Sequence, residues 1–180
     1  MTLRLVHLKV ETMLALLAGD LAGASAQAGV RLTDYFVGEQ SIWLWRYRVD
    51  QIRRDPSTTG WLARAVVIEE TGQVIGHAGY HGPPDADGMV EVGYSVDPQF
   101  RRRGHAREIL GELLRRAKDE PAVRTVRASI SRTTSGRWPR WPGTDSFRSV
   151  SSGTRRTGWS WSSSSRRDSA VDSDRSESQI

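Results

Sequence analysis

Cysteine is absent from the chain, and so are long hydrophobic runs. Without cysteine there is no disulfide framework, no thiolate metal site and no thiolate nucleophile. The longest apolar stretches, Met13 to Leu17 and Ala65 to Ile68, are far shorter than the ~20 residues that cross a bilayer. No secretory signal pattern is recognisable. We therefore expect a cytoplasmic protein with no membrane contact, and 180 residues are typical of one domain.

The basic character of the chain is concentrated in its C-terminal part. The net charge is +5, but residues 132–180 hold nine arginines against five acidic residues, a net +4. This leaves +1 for residues 1–131. Because a nearly neutral folded part offers no broad basic surface, nucleic acid is disfavoured as its partner.

Apolar spacing predicts helices in the first third of the chain. Residues 9–22 have the helical period, and the small residues of 23–29 indicate a loop. Thr33 or Asp34 is the expected cap of a second helical region, which breaks near Gly38 and resumes over 39–54. Its expected core face is Ile42, Trp45, Val49 and Ile52.

From Trp61 onward the period becomes that of strands, and the sequence predicts a mixed sheet. Strands are expected at 62–69, 74–81, 89–96 and 123–130, with a helix that starts near Gly104 before the last one. The turns are expected at 70–73 and 83–88. The predicted order is α-α-β-β-β-α-β, an α/β fold whose sheet is flanked by helices and whose strand–helix–strand unit crosses over right-handed.

The segment Val96-Asp97-Pro98-Gln99-Phe100-Arg101-Arg102-Arg103-Gly104-His105-Ala106-Arg107 is the most informative of the sequence. It connects a predicted strand to a predicted helix through a basic turn that contains glycine. Backbone N–H groups at the start of a helix, together with its positive end, hold anions well. This turn is therefore the candidate binding site of the chain.

The pattern Arg101-x-x-Gly104-x-Ala106 resembles the acetyl-coenzyme A pyrophosphate loop of the GNAT superfamily of N-acetyltransferases. The resemblance covers residues 1–131, which it implies are an incomplete acetyl-coenzyme A-binding domain. With the segments 76–80 (Gly-His-Ala-Gly-Tyr) and 91–94 (Glu-Val-Gly-Tyr), the chain is most similar to the RimJ/RimL type. The fold it implies is a mostly antiparallel sheet between helices, with the C-terminal helix and strands missing.

The resemblance implies transfer of acetyl from acetyl-coenzyme A to a primary amine by direct attack. The residues it assigns to the cofactor are Tyr94, Ser95, Val96, Arg101, Arg102, Arg103, Gly104, His105, Ala106 and Arg107. Glu91 is the candidate general base, with a salt-bridged or solvent-facing carboxylate as the alternative. The acceptor is left open between a protein N-terminus, an aminoglycoside-like or polyamine amine, and an amino acid. A homodimer is allowed.

Other site types find little support. The four histidines, His7, His77, His81 and His105, lack metal-ligand spacing, so no metal is expected. Trp43 and Trp45 are expected to pack a helix on the sheet, or to line an acceptor groove with one face. The family's general-acid tyrosine lies in the helix that Arg132 to Trp141 replaces here, so no acid is assigned.

Residues 132–180 have a different composition from the rest. They contain no leucine or lysine, are crowded with serine and arginine, and include four tryptophans. A disordered linker is one interpretation, although disordered segments are usually poor in aromatics. A shifted reading frame after Ser131 is the interpretation we prefer. With suitable codons, a start one base earlier turns Arg132 to Pro139 into Pro-Asp-Asn-Leu-Arg-Ser-Leu-Ala, a helix start.

Two alternative functions follow from this tail. The chain is an inactive or coenzyme A-binding-only remnant if the missing terminal elements leave the sheet with an exposed edge. Alternatively, the tail with its arginines and tryptophans binds nucleic acid, and such binding would be steeply salt-dependent and lost on removal of 132–180.

The frame hypothesis makes a direct prediction for the coding DNA. Reading the sequence across codon 131 should show a second open frame that continues the helix and strand pattern. If no alternative frame is open there, the hypothesis is wrong.

Overall fold

A mixed sheet, in which the strands lie side by side in chain order, runs through the molecule. The computed structural model describes residues 2–128, 148–151 and 160–163. Among these, all neighbouring strands are antiparallel except the fourth and fifth, which are parallel. The strands are β1 Leu3–His7, β2 Arg64–Ile68, β3 Val74–Tyr80, β4 Met89–Val96, β5 Thr125–Ala128, β6 Arg148–Ser151 and β7 Ser160–Ser163.

Helices cover both faces of this sheet. They are α1 Val10–Leu17, α2 Leu21–Ala28, α3 Glu39–Arg54 and α4 His105–Lys118, with short 3-10 helices at Asp34–Val37, Pro56–Gly60 and Pro98–Phe100. The first three helices pack on one face and α4 packs on the other. Consecutive residues of a strand point to opposite faces of the sheet. Because helices cover both faces, β2 is buried along its whole length. Ala65 and Val67 face α1–α3, whereas Val66 and Ile68 face α4.

Strands β3 and β4 position the candidate site. In the β2–β3 ladder the register shifts between Val66 and Val67, which makes a bulge next to Gly76. A Cβ on Gly76 would lie 2.1 Å from the Ser95 carbonyl oxygen, so only glycine fits there. Asp85 closes the β3–β4 turn by accepting from the N–H groups of Asp87 and Met89 at 3.0 and 2.9 Å.

The predicted α/β fold class is confirmed, and most of its elements lie where expected. The span of β4 and that of α3 agree with the prediction. The helical region predicted to start at Thr33 or Asp34 and to break near Gly38 is the 3-10 helix Asp34–Val37. The strand–helix–strand unit is β4–α4–β5, the parallel pair. Trp45, Val49 and Ile52 are buried as expected, and Ile42 is partly buried.

The predicted element order is incomplete at the N-terminus. Strand β1 was not predicted, although its five residues alternate and pair with β2 along their full length. The predicted helix 9–22 is two helices, because the chain turns at Gly19, with φ +75°. The predicted loop 23–29 is wrong, since α2 spans it between an Asp20 cap, which accepts from the Gly23 N–H at 2.8 Å, and left-handed Gly29.

Past residue 131 the sheet continues, which differs from the expectation that its last strands are missing. The backbone of β6 pairs antiparallel with β5, and β7 pairs with β6. The edge of β5 offers a row of ladder N–H and C=O groups, which favours pairing with any extended segment that reaches it. Residues Arg132 to Trp141, which were predicted to stand in place of the family's helix, lie outside the described residues.

One buried hydroxyl links β3 to α4, and its loss should be measurable. The Tyr80 hydroxyl donates to the Leu113 carbonyl at 2.7 Å, and burial raises the pKa of Tyr80 to about 12. Tyr80→Phe should lower the free energy of unfolding by about 0.5–1.5 kcal/mol, the usual worth of one such bond. The control Tyr47→Phe, at a side chain that is 52% exposed, should change it by less than ~0.5 kcal/mol. Equal effects in urea unfolding would contradict this account.

Candidate active site

The turn between β4 and α4 has an unusual backbone. Arg102 has φ +63° and Gly104 has φ +86°, so two left-handed residues stand near each other just before the helix. Such left-handed turns aim successive N–H groups into one concavity that suits anions. A Cβ on Gly104 would meet nothing within 4 Å. Glycine is therefore required here by its conformation rather than by crowding.

The N–H groups of Arg102 to Ala106 donate to no acceptor within the described residues. The bonds on either side mark the limits of this row: the Arg101 N–H reaches the Pro98 carbonyl, and the Arg107 N–H reaches the Gly104 carbonyl at 3.0 Å. These donors stand at the positive end of a helix of 14 residues. The arrangement is a site for a group with several anionic oxygens.

The basic side chains of the turn have different surroundings. Arg101 donates through Nε to the Val96 carbonyl at 2.9 Å, which ties the turn to the end of β4. The Arg103 guanidinium lies over the Phe100 ring at 5.8 Å. His105 is buried, with its Nδ1 3.4 Å from a Glu108 carboxylate oxygen, whereas Arg102 and Arg107 are exposed. The charge available to a ligand thus comes mainly from exposed guanidinium groups.

Asp97, which sequence reasoning did not single out, anchors the turn. It is 2% exposed and accepts from the Gln99 N–H at 3.1 Å and from the Thr33 hydroxyl at 3.0 Å. Its own N–H donates to the Ile75 carbonyl at 2.9 Å. The start of the turn is thereby held to β3 and to the segment that leads into α3.

The outer half of β4, residues 93–96, leads into the turn. Within the described residues β4 pairs with β5 over Met89 to Val92, opposite Thr125 to Ala128. Tyr94 and Val96 lie on the α4 side of the sheet, where Tyr94 is partly buried and its pKa is raised by that burial. Ser95 lies on the other side and shares a hydrogen bond with the Tyr35 hydroxyl.

A cavity of about 140 Å³ opens between α3 and the middle of β3 and β4. Gly79 and Gly93 face each other across the two strands, and neither contributes a side chain to the cavity. A Cβ on Gly93 would come within 2.8 Å of the His81 Nε2 atom. The remaining walls include Leu44, Trp45, Arg48, His77, Tyr80 and Tyr94.

The partly exposed His81 side chain lines the mouth of this cavity, and Glu91 lies beside His81. The His81 Nδ1 atom is 3.7 Å from a Glu91 carboxylate oxygen, and the two side chains are 46% and 25% exposed. Partial burial and the charge of Arg48 lower the pKa of His81, and Glu91 opposes this shift. His81 is therefore neutral near pH 7, with Nδ1 towards Glu91 and Nε2 over Gly93.

His77 forms part of the cavity floor within an aromatic box. Its ring is stacked on Tyr35 at 5.6 Å and meets Trp45 edge-on at 5.2 Å. Burial, with the charge of Arg48, lowers the pKa of His77 to about 4. A neutral imidazole packs among aromatic rings without the cost of a buried charge.

A match to a sequence model of the Acetyltransferase (GNAT) family, over residues 30–135, spans more than half of the chain. The chain belongs to the GNAT acetyltransferase family. A curated GNAT relative is the "Uncharacterized N-acetyltransferase YjdG" of Bacillus subtilis (strain 168), 27% identical over 75 residues. That match spans 42% of this chain and 45% of the relative, so less than half of the relative's length is covered.

Solved GNAT structures are similar at low identity. A GNAT-family acetyltransferase from Bacillus anthracis has 14% identity and a TM-score of 0.46, with 74% of this chain and 73% of that chain covered. YhbS from Escherichia coli, solved in complex with CoA, has 22% identity and a TM-score of 0.44, over 82% and 79% of the two chains.

The described residues of this GNAT chain contain neither a helix that could cross a membrane nor a cluster that could hold a metal ion. None of their helices combines the length and apolar composition that a membrane crossing requires. Within the same residues, no group of three or more His, Asp or Glu side chains is arranged to hold a metal ion.

Several residues of the cavity were not predicted from the sequence. No role was predicted for His77 and His81, although their spacing in a strand puts both on one face of the sheet. Arg48 was not predicted either. The sequence feature that indicates it is a charged residue within the apolar stripe of α3. Of the tryptophan pair, Trp45 packs on the sheet, whereas Trp43 is 66% exposed and stacks on Tyr47.

The box around His77 predicts a pH effect on this GNAT domain. Because the folded pKa lies below the ~6.5 of a free imidazole, the unfolded chain binds a proton that the folded chain does not. Stability should fall as the pH drops from ~6.5 towards 4 and then level off for this group. NMR should show an imidazole titrating near 4 that His77→Gln removes. A midpoint near ~6.5 would contradict the box.

Proposed function

We propose that the chain transfers acetyl from acetyl-coenzyme A to a primary amine. The observation that carries the proposal is the row of N–H groups from Arg102 to Ala106 that have no acceptor within the described residues. Membership of the GNAT acetyltransferase family supports the same reaction. In the reaction the amine nitrogen attacks the thioester carbonyl, the C–S bond breaks, and the amine proton is lost while coenzyme A leaves as a thiolate.

The pyrophosphate of acetyl-coenzyme A fits the turn by its charge. A pyrophosphate needs several donors at once, and the N–H groups of Arg102 to Ala106 supply them. The exposed side chains of Arg102 and Arg107 add positive charge, and Arg103 lies beside them against Phe100. Arg101 acts on the turn through its bond to the Val96 carbonyl, and His105 contributes its N–H.

The pantetheine arm pairs with the outer half of β4. Its amides meet the backbone at Tyr94, Ser95 and Val96, which follow the residues of β4 that pair with β5 within the described part of the chain. This direction leads from the turn towards Gly93 and the cavity. The thioester then lies near the cavity mouth, where the acceptor amine enters from the α3 side.

Glu91 and His81 remove the proton of the amine. An alkylammonium has a pKa near ~10.4 and is unreactive until it loses a proton. His81, neutral near pH 7, receives the proton at Nε2 over Gly93, and the Glu91 carboxylate beside Nδ1 stabilises the imidazolium. The pair extends the single base that the sequence predicted.

The remaining features belong to the same proposal. The segments 76–80 and 91–94 support a RimJ/RimL-type subgroup, and residues 1–131 are the acetyl-coenzyme A domain. Residues 132–180 arise from a shifted reading frame, for which their composition is the support. The enzyme works in the cytoplasm, and a homodimer is compatible with these features.

Two glycines of the same helical region provide a matched test of the turn. Gly104→Ala should weaken binding of acetyl-coenzyme A by about tenfold, since a left-handed alanine costs roughly 1–2 kcal/mol and the turn relaxes. Gly111→Ala within α4 should leave the affinity unchanged, because its added Cβ also meets nothing within 4 Å but its φ is helical. Calorimetry on the full chain measures both. Equal affinities for the two variants would refute the pyrophosphate site.

The proton-transfer pair predicts a second result. Glu91→Gln and His81→Gln should each lower kcat by about 10²–10⁴, the usual contribution of a general base. In the wild type, kcat should decline below pH ~6.5 as the imidazole becomes protonated, and this decline should be absent in His81→Gln.

A control carboxylate is available on α3. Glu39→Gln removes an exposed carboxylate outside the cavity and should leave kcat and its pH profile unchanged. If His81→Gln keeps the acid decline of the wild type, another group accepts the proton and the proposed pair is wrong.

A further inference from the structure

The cavity wall contains a buried cation that the acetyl-transfer steps do not use. Arg48 is 7% exposed and lies on the inner face of α3 beside Trp45 and Val49. Burial lowers the pKa of Arg48, which is the sign of a guanidinium that has lost much of its hydration. A buried charge is costly unless other groups replace the lost water.

The protein satisfies this guanidinium only in part. Its Nη1 donates to the Gln51 side-chain oxygen at 2.7 Å and to the His81 carbonyl at 3.4 Å, and its central carbon lies 5.4 Å from the Tyr47 ring centre. Within residues 2–128 no carboxylate lies within ion-pair distance of it. Its Nε and Nη2 carry the other N–H donors of the side chain, and no described residue accepts from them.

A second buried arginine shows what full satisfaction looks like in this chain. Arg64 is 3% exposed, and its Nη1 and Nη2 donate to the carbonyls of Gly60, Trp61 and Leu62. Those bonds close the turn before β2, so Arg64 has a structural role. Arg48 lines a cavity instead. Its two acceptors among the described residues, the Gln51 side-chain oxygen and the His81 carbonyl, both accept from Nη1.

We propose that Arg48 binds a carboxylate of the acceptor, so that the acceptor is a small amine carrying a carboxylate, such as an α-amino acid. This inference rests on the proposed acetyl transfer and names its substrate class. The planar guanidinium holds a carboxylate by two parallel hydrogen bonds, and such charge-assisted bonds are strong where water is excluded.

The surroundings of the cavity match both charges of such an acceptor. The ammonium faces Glu91 and His81 at the mouth, and the carboxylate faces Arg48 on the α3 wall. The His81 residue joins the two ends, because its carbonyl accepts from Arg48 and its ring lies beside Glu91. A polyamine or an aminoglycoside would bring further positive charge to Arg48, which is repulsive.

Size also favours a small acceptor. The cavity measures about 140 Å³, below the ~300–1,000 Å³ of pockets that enclose drug-sized ligands. Gly79 and Gly93 add no side chain to its lining, and the buried Trp45 ring forms part of its wall. The amine, the Cα atom and the carboxylate of an amino acid need little more space than this cavity offers.

Paired acceptors test the proposal in the full chain. Each α-amino acid is compared with its carboxamide, for example alanine with alaninamide, under saturating acetyl-coenzyme A. The wild type should prefer the acid in kcat/KM, and Arg48→Gln should lower the acid-to-amide ratio by about ten- to a hundredfold, mainly through KM. Because both members of a pair keep their own amine pKa in every variant, the change of the ratio isolates the carboxylate contact.

Conservative and control variants sharpen the outcome. Arg48→Lys should restore part of the ratio, since it keeps the charge but not the planar fork. Arg53→Gln, at an exposed arginine on the same helix, should leave the ratio at its wild-type value. An unchanged ratio in Arg48→Gln would overturn the proposal, and so would preference for an aminophosphonate over the matching amino acid.

A binding measurement separates this inference from the proposed function. N-acetylalanine, the product analogue, is titrated in the absence of acetyl-coenzyme A while the His77, His81 and Trp45 side-chain NMR signals are followed. Shifts that Arg48→Gln abolishes support the carboxylate site even if acetyl transfer fails. Acetyl transfer to amines without such shifts overturns the carboxylate site while leaving the proposed function intact.

Discussion

The site depends on the row of N–H groups from Arg102 to Ala106, for which the described residues offer no acceptor. Backbone donors normally have partners, so a whole row without them is kept only where water or an anion replaces the protein acceptor. Left-handed Arg102 and Gly104 give the turn the kind of backbone that directs successive N–H groups into one concavity. Asp97 and the Arg101 contact to the Val96 carbonyl hold the turn against the sheet, so its shape exists before any ligand arrives.

Strand β4 connects this turn to the chemistry because its two faces have different tasks. Val90, Val92 and Val96 bury their side chains against α4 and stabilise the sheet. Glu91, Gly93 and Ser95 lie on the α3 side, where the strand carries a carboxylate, a glycine under the His81 ring and a hydroxyl. The described pairing with β5 covers Met89 to Val92, and the proposed ligand meets the strand beyond it. Strand β4 thus contributes side chains to the core, backbone to the cavity floor and backbone groups to the proposed ligand.

The sequence was informative where function depends on local order along the chain. A strand, a glycine turn and a helix are consecutive, so the turn and the span of β4 were predictable from periodicity and one motif. Strand β1 and helix α2 were missed, because five alternating residues and an alanine-rich stretch give weak signals. The cavity was not predictable, since Arg48 and His77 are distant in sequence and come together only through packing of α3 on the sheet. Glu91 joins the site through its contact with His81.

Amide hydrogen exchange on the full chain, with and without acetyl-coenzyme A, tests the central claim most directly. The N–H groups from Arg102 to Ala106 have no partners in the described residues, so in the free protein they should exchange fast. Acetyl-coenzyme A should slow exchange at these amides first, and then at the outer half of β4. Slowed exchange elsewhere in the chain, with Arg102 to Ala106 still exchanging fast, would contradict the account.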